Sequence, residues 1–577
     1  MKLNRFPFAF FLISFIVFIV TITGFFINLN TTVSTYSGYI AADTYHQTFY
    51  NTVNGRLFQL SLNKDAMYIY KDATFTYKNK NPHAYINQMA APVTFTTNAL
   101  ALSYVIWQDI NFFYAIFIIF NYFGLPFYTW KIIKFYDPDG GKQKYYLATG
   151  VLLLSSYLSI VHFCGNRGLI IGPFILASYY YLKREKWLPY SIATALGILS
   201  SEDSAMFYFT FSVFIYIFEN KKTGVITGIV SFLYTGLVLF IIQPAARFNL
   251  KLEQINHVAF YRDMLKLDSN LLDYFFRFPF ETREALAFIP LIVCLFLIAN
   301  HRDIKLKKIL GLMFLAPLSH WFITFATKIG GHHLMHIMAC MYLTCVYLIA
   351  KIDFGKLQIS GKVKKVTLAL GVMFIISNLF LLMVADFPFK FQIRWYLRDK
   401  IPVSSYYKML VGHDLYKTIE SNREFINQIN SIPKKHSLVF WANRTVSGFI
   451  SNRSDIWYFP SLSLDADFLA IQRNANNAYF CTKDSADLSH TNTSDDIRLL
   501  ESEEDCSVSA VFTEKLIHRL VDELKTHAVA YSSDNVIVLK KLSHAVIEIP
   551  SDSIGLNFLS NVPGLLDNYL KKLKNLF

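Results

Sequence analysis

Long apolar runs fill the first two-thirds of the chain, separated by short polar stretches. They lie at 7–28, 110–133, 145–164, 168–183, 187–201, 204–219, 223–243, 284–299, 307–327, 333–350 and 366–386. A helix of about twenty apolar residues is long enough to cross the hydrocarbon of a bilayer. The pattern therefore predicts an α-helical polytopic membrane protein with about eleven spans. The first run follows a basic start, MKLNRF, as in a secretory signal. It is long for that role and lacks a small-x-small cleavage pattern, so it reads as a retained span with its N-terminus in the cytoplasm.

Threading these spans assigns a side to every connection. The inside loops then hold Lys131, Lys134, Lys142 and Lys144; Lys183, Arg184 and Lys186; and Lys221 and Lys222. Two further inside loops carry Arg302, Lys305, Lys307 and Lys308, and then Lys351, Lys356, Lys362, Lys364 and Lys365. The short outside connections hold little positive charge. Lys and Arg are retained on the cytoplasmic side during insertion, so this register supports the threading. Three larger pieces fall outside: 29–109, 244–283 and 387–577. Within the first, Pro92–Trp107 is apolar and reads as a re-entrant or interfacial helix, because a twelfth span there would invert every later loop.

The pattern changes after residue 388. The segment LYKTIESNREFINQIN has apolar residues at helical spacing, and EKLIHRLVDELK reads the same way. The stretches HSLVFWA, DADFLAIQ and DNVIVLKK read as strands. Residues 1–388 thus form a transmembrane domain that includes the loop 29–109, and 389–577 an extracytoplasmic α/β domain. Neither GxGxxG nor a P-loop occurs, so nucleotide binding has no support. In the last segment, Leu566, Leu570, Leu573 and Phe577 form one stripe beside lysines. That stripe suits either a membrane surface or the helix's own domain.

Composition agrees with this picture. The chain has 577 residues, 53% apolar, 17% aromatic and only 17% charged. Its formal charge of +14 sits in short loops between apolar runs, which argues for membrane topology rather than nucleic-acid binding. The six cysteines show no CxxC spacing. Cys481 and Cys506 both fall in the outside domain, where an oxidising compartment would allow a disulfide.

Several segments resemble, in order, those of bacterial membrane proteins grouped as domain-of-unknown-function family 2079. They are HQTFYNTVNGRLFQ at 46–59, HFCGNRGLIIGPFILASYYYL at 162–182, SSEDSAMFYFTFSVFIYIFENKKTG at 200–224 and GHHLMHIMAC at 331–340. SIPKKHSLVFWANRTVSGFISNRSDIWYFP and DNVIVLKK extend the likeness to residue 541. The chain departs from the family where His46 replaces an acidic residue and Ala41 an Asp, leaving Asp43 as the nearest carboxylate. The family is similar to C-type glycosyltransferases. The resemblance implies a polyprenyl-phosphate-linked sugar donor, a glycan or lipid acceptor, and a long first outside loop bearing a carboxylate. It also brings forward Gln47, within the first of these segments.

The threading itself places ionisable groups on one face. Asp43 and His46 begin the first outside loop, and His162 and Arg167 lie at an outside turn. Glu202 and Asp203 form another outside turn, and His332, His333 and His336 begin the tenth span. Such groups are costly near hydrocarbon, so their gathering suggests a polar cavity. Transfer from a lipid-linked sugar needs a carboxylate to take the acceptor's proton. It also needs a cation, either Arg, Lys or a divalent metal, to stabilise the departing phosphate.

Asp43, Glu202 and Asp203 are accordingly the candidate catalytic carboxylates. The bland alternatives are a loop hydrogen bond for Asp43 and, for the SSED turn, a helix cap with carboxylates on the dipole. His46, Gln47, Arg56, His162, Arg167, Arg247, His332 and His333 are candidate substrate-binding residues. Arg167 and Arg247 fit either a phosphate or lipid headgroups, and Gly55-Arg56 reads as a turn. The histidines fit either a metal or interfacial hydrogen bonds. The expected activity is an inverting extracytoplasmic glycosyltransferase of the bacterial inner membrane. A transporter or flippase of lipid-linked glycans, or a noncatalytic envelope-assembly protein, are the rival classes.

Overall fold

A computed structural model of the chain describes residues 38–61, 86–87, 94–138, 141–154, 170–247, 289–299, 306–327, 334–351, 414–442, 446–458, 466–472, 481–482, 497–498 and 527–541. The expected spans at 7–28 and 366–386, the helix at 514–525 and the C-terminal helix lie outside these residues.

The apolar runs that are described are helical. They are α3 (Ile110–Tyr136), α4 (Gly141–Leu154), α5 (Ile171–Lys183), α6 (Trp187–Ile198), α7 (Glu202–Phe218) and α8 (Lys221–Leu237). Ahead of them come α1 (Gly38–Val53) and the short α2 (Phe95–Ala99). After α8 come α9 (Gln243–Arg247), α10 (Ile289–Ala299), α11 (Leu306–Leu310), α12 (Leu318–Thr327) and α13 (Leu334–Lys351). A helix satisfies its own backbone, which is why runs this apolar adopt it.

An 18-residue window of the run Lys221–Ala246 reaches a mean hydropathy of 2.4, and the whole run has 26 residues. At 1.5 Å per residue that is about 39 Å, more than the ~30 Å of hydrocarbon. It includes a π turn over Val238–Ile242 just ahead of Pro244, whose missing N–H cannot continue the α pattern. Asn220 caps its start, accepting from the Thr223 N–H at 2.9 Å. Gly224 and Gly228 let α7 and α8 approach closely. A Cβ at Gly224 would lie 2.6 Å from the Tyr216 backbone, and one at Gly228 2.7 Å from Ser212 Oγ. Small residues four apart are the usual device for such contact between apolar helices.

Helix α13 is buried on all sides from Met335 to Ala350, so it forms the middle of the bundle. The outer helices show the reverse. Leu188, Ile192, Ile229, Phe232, Leu233 and Leu295 are each more than half exposed. Apolar faces this extensive suit hydrocarbon rather than water.

One end of the bundle is basic, and several of its charges are paired. Glu219, at the end of α7, is nearly buried and pairs with Lys183 at 2.8 Å and Lys308 at 2.5 Å. Lys144 pairs with Asp137 at 2.8 Å and donates to the Ala350 carbonyl at 3.0 Å. Lys351 lies 4.5 Å from the Tyr136 ring centre and Lys308 5.4 Å from that of Tyr347. Lysines from four loops that the threading assigns to one side thus meet at one end. The acidic turn before α7 lies at the other end of the same helix.

The C-terminal residues form helix α14 (Asp414–Ser431) against a five-stranded sheet. Its strands are β3 (Leu438–Trp441), β4 (Ile456–Tyr458), β5 (Phe468–Gln472), β8 (His527–Ser532) and β9 (Val536–Lys541). They run in the order β4-β3-β5-β9-β8. The pairings are parallel where β3 meets β4 and β5, and antiparallel where β9 meets β5 and β8. Short helix α15 (Ser447–Ile450) makes the crossover from β3 to β4. Phe425 and Ile429 of α14 pack on Leu438, Phe440, Leu469 and Val538. The strands β1 (Gln59–Leu60) and β2 (Ile86–Asn87) form a separate small ladder, as do β6 (Cys481–Thr482) and β7 (Ile497–Arg498).

Candidate functional site

Helix α6 ends at Ile198, and a short turn leads into α7. Ser201 adopts an extended backbone with φ −168° and caps α7 by accepting from the Ser204 N–H at 3.0 Å. Ser201 therefore does the capping, which leaves the next two side chains for other work. Glu202 and Asp203 are both buried, at 0% and 6% exposure. Their place in the first turn suits the positive end of the helix dipole.

A chain of hydroxyls and imidazoles runs inward from this turn. Ser201 Oγ and Ser204 Oγ are 2.8 Å apart, and Ser204 Oγ is 3.0 Å from His336 Nε2. The His336 ring stacks on that of His320 with centroids 3.7 Å apart. His320 Nδ1 is 3.2 Å from Ser319 Oγ, which lies 3.3 Å from Thr210 Oγ1. Both imidazoles are buried, and Phe207 packs against each.

Helix α2 and the 3-10 turn after it, Leu100–Val105, connect the acidic turn to α1. The Thr96 N–H donates to the Leu199 carbonyl at 3.0 Å, and Thr96 Oγ1 to that of Leu196 at 2.8 Å. Those bonds fasten α2 to the end of α6. Leu102, Val105, Ile106 and Trp107 face outward at 54% exposure or more, while Ala101 and Tyr104 are buried. The segment expected as a re-entrant or interfacial helix is thus helical and two-faced. Tyr104 meets the rings of His46 and Phe49 edge-on, at 5.5 and 5.3 Å.

Helix α1 joins the C-terminal domain through side chains that sequence reasoning offered to substrate. His46 Nδ1 is 2.8 Å from Ser451 Oγ. Gln47 Nε2 donates to Ser61 Oγ at 2.8 Å and to the carbonyls of Arg453 and Ser454 at 3.2 and 3.3 Å. Its Oε1 accepts from the Ser61 N–H at 3.0 Å, and Ser61 Oγ donates to the Ile456 carbonyl. Arg56 pairs with Asp455 at 2.7 Å. Gly55, at φ +88°, makes the tight turn that brings Arg56 round, a conformation glycine adopts without strain.

Arg453 explains why the loop 451–455 is so well placed. Its guanidinium is buried and donates to the carbonyls of Ile432, Pro433 and Ile429 at 2.7, 2.8 and 3.1 Å. These close the end of α14. Burial pushes its pKa down to about 10, so it remains a cation at neutral pH.

Asp43 belongs to α1, but its side chain and that of Arg247 lie outside the described residues, as do His162, Arg167, His332 and His333 entirely. Among the described residues the structure joins His336 to the acidic turn, and His46, Gln47 and Arg56 to the C-terminal domain. Sequence reasoning missed His320, Ser204 and Arg453. His320 interrupts an apolar run, which is a usable signal; nothing in the spacing marks the pairing of Gln47 with the loop at 451–455. No group of three His, Cys, Asp or Glu side chains converges as a metal site among the described residues.

No family model matches the chain, and no curated protein matches it. The likeness to family 2079 therefore rests on the quoted segments alone. Among solved structures, the chain is similar to ArnT from Cupriavidus metallidurans bound to undecaprenyl phosphate. That alignment covers 93% of this chain and 99% of the other at 8% identity, with a TM-score of 0.48. At that level the functional reading has to stand on the chain's own residues.

Proposed function

We propose that the chain is an integral membrane glycosyltransferase that draws on a polyprenyl-phosphate-linked sugar. Its reaction site is the acidic end of the helical bundle. The observation that carries this reading is the buried Glu202-Asp203 turn, joined through Ser201 and Ser204 to the stacked His336–His320 pair. Carboxylates are rarely held so deep at the end of an apolar bundle without a task. The lipid-suited faces of α6, α8 and α10 bring a lipid-borne substrate to that end. The basic end suits the cytoplasm, which puts the acidic turn on the extracytoplasmic side.

In the proposed reaction a carboxylate of the turn takes the proton from an acceptor hydroxyl. The oxygen attacks the anomeric carbon from the face opposite the phosphate. The bond from that carbon to the phosphate oxygen breaks, its electron pair leaves with polyprenyl phosphate, and the configuration inverts. Arg167 and Arg247 remain our proposed phosphate partners, and Asp43 the proposed second carboxylate.

Membranes containing Glu202→Gln, Asp203→Asn or both, supplied with polyprenyl-phosphate sugars, test this. Transfer should fall about a hundredfold to ten-thousandfold at normal expression and thermal stability, the range for a lost general base. Full transfer in the double variant would remove the turn from the chemistry. Movement of the sugar lipid across vesicles without transfer would favour the transporter class.

A further inference from the structure

Helix α2 carries polar side chains that the protein leaves unanswered. Thr94, Thr97 and Asn98 lie on one helical face and are buried at 0%, 0% and 3% exposure. Their hydroxyls, and both the oxygen and the nitrogen of the Asn98 amide, have no hydrogen-bond partner in the protein. Thr94 precedes the helix, where a threonine ordinarily caps, yet its side chain makes no capping bond. Burying such groups unpaired is unfavourable, and native proteins pair nearly all of them with protein, water or ligand atoms.

Their position is specific. Thr96 fastens this helix to the turn that leads directly into Glu202. Phe95 meets the ring of Tyr234 on α8 with centroids 6.5 Å apart, and the Tyr234 hydroxyl is likewise buried without a partner. Tyr234 also lies within electrostatic reach of Glu202. Helix α2 thus lies against both the turn before α7 and Tyr234 of α8.

We propose that Thr94, Thr97 and Asn98, with Tyr234 of the neighbouring α8, form a subsite for the hydroxyl groups of a sugar ring beside the acidic turn. This rests on the glycosyl-transfer reading and deepens it. The chemistry selects a polyol rather than a phosphate. All four side chains are neutral, whereas phosphate sites use cations or helix dipoles. A carboxamide offers one donor edge and one acceptor edge, and hydroxyls do both, which matches neighbouring sugar hydroxyls that each donate and accept. The aromatic ring supplies an apolar wall for the sugar's C–H face.

The full chain in lipid nanodiscs tests the subsite by two readouts. The first needs no ligand. Asn98→Leu keeps the volume and removes the unpaired amide, so its unfolding midpoint should rise above that of the parent protein. A fall would show that the amide is paired within the fold and would overturn the proposal. The second compares polyprenyl phosphate with polyprenyl phosphoglucose, phosphomannose and phosphogalactose. The parent protein should bind at least one sugar lipid more tightly than the sugar-free lipid. Asn98→Leu and Thr97→Val should each lose about tenfold of that sugar preference, the size of one hydrogen bond, and keep their affinity for polyprenyl phosphate. Sugar preference unchanged in both variants would overturn the subsite while leaving the transfer reading standing. No sugar preference in the parent protein, for any of these lipids, would overturn both.

Discussion

Helix α7 carries carboxylates at both ends, and the two ends treat them differently. At one end Glu219 is clamped between Lys183 and Lys308, with tyrosines and further lysines packed around it. At the other, Glu202 and Asp203 lie buried in the turn capped by Ser201, whose hydroxyl meets Ser204 and, through it, the stacked His336–His320 pair. A carboxylate held by two ammonium groups is a fastening: its charge is spent on holding three loops together. The turn at Glu202 and Asp203 instead carries the hydroxyl–imidazole chain of the proposed reaction site. Burial alone does not separate the two cases, since all three side chains are nearly or fully shielded from water.

The contrast fails most visibly if the two ends respond alike to loss of charge. Asp203→Asn should depress transfer by at least about a hundredfold with an unchanged unfolding midpoint. Glu219→Gln should do the reverse. Leaving Lys183 and Lys308 together without their partner should cost about 3 kcal/mol of stability, while transfer per folded molecule holds. Thermal unfolding and transfer rate, measured on the same preparations, check both. A stable but inactive Glu219→Gln protein would reverse the assignment of the ends.

A smaller effect is expected where the C-terminal domain closes its own helix. Arg453→Met strips three carbonyls at the end of α14 of their donor and should cost about 2 kcal/mol. Hydrogen exchange should rise across 429–456 and, through Gln47, in α1. Exchange confined to α14 would show that the loop does not need Arg453 to reach α1. Arg56→Met removes a partly exposed ion pair with Asp455 and should cost only about 0.5 kcal/mol. Its signature is faster exchange at 451–456 with no change in the bundle.

The smallest effect is acid sensitivity. Hydrogen bonds from Ser533 and Asn535 hold the Glu424 carboxyl below its usual range. A carboxylate whose folded pKa is depressed adds stability above its unfolded value, about 4.3, and loses it as pH falls through the folded value. Glu424→Gln should therefore lower the stability of the C-terminal domain slightly at pH 7, leave it nearly unchanged at the acid end, and flatten the profile below about pH 4. An unaltered acid profile would show that these bonds do not distinguish the charged form.

The helical elements were legible in advance because hydrocarbon-length apolar runs allow one backbone solution. The runs expected at 110–133, 168–183, 187–201 and 204–219 correspond to α3, α5, α6 and α7, with ends displaced by a few residues. Strands β3, β5 and β9 were legible from short apolar stretches bounded by polar residues. The close approach at Gly224 and Gly228 was available in the spacing and went unread. The candidate site was visible only in part. SSED announces buried acid because carboxylates between two apolar runs have nowhere neutral to go. His46, Gln47 and Arg56 looked equally functional, because a polar residue in an outside loop has the same signature whether it meets a substrate or another domain.

By itself, then, the chain's pattern determined which stretches are apolar helices and where basic loops alternate with acidic and polar ones. Those are properties of local composition and period, and they hold wherever the segments end up. The tertiary structure decided what each polar side chain faces. It sent Gln47 to a loop about four hundred residues away, stacked His320 on His336, and set an unpaired amide beside the acidic turn. Such contacts depend on the angle and depth at which helices pack, and small residues and side-chain volumes far from the site set that geometry.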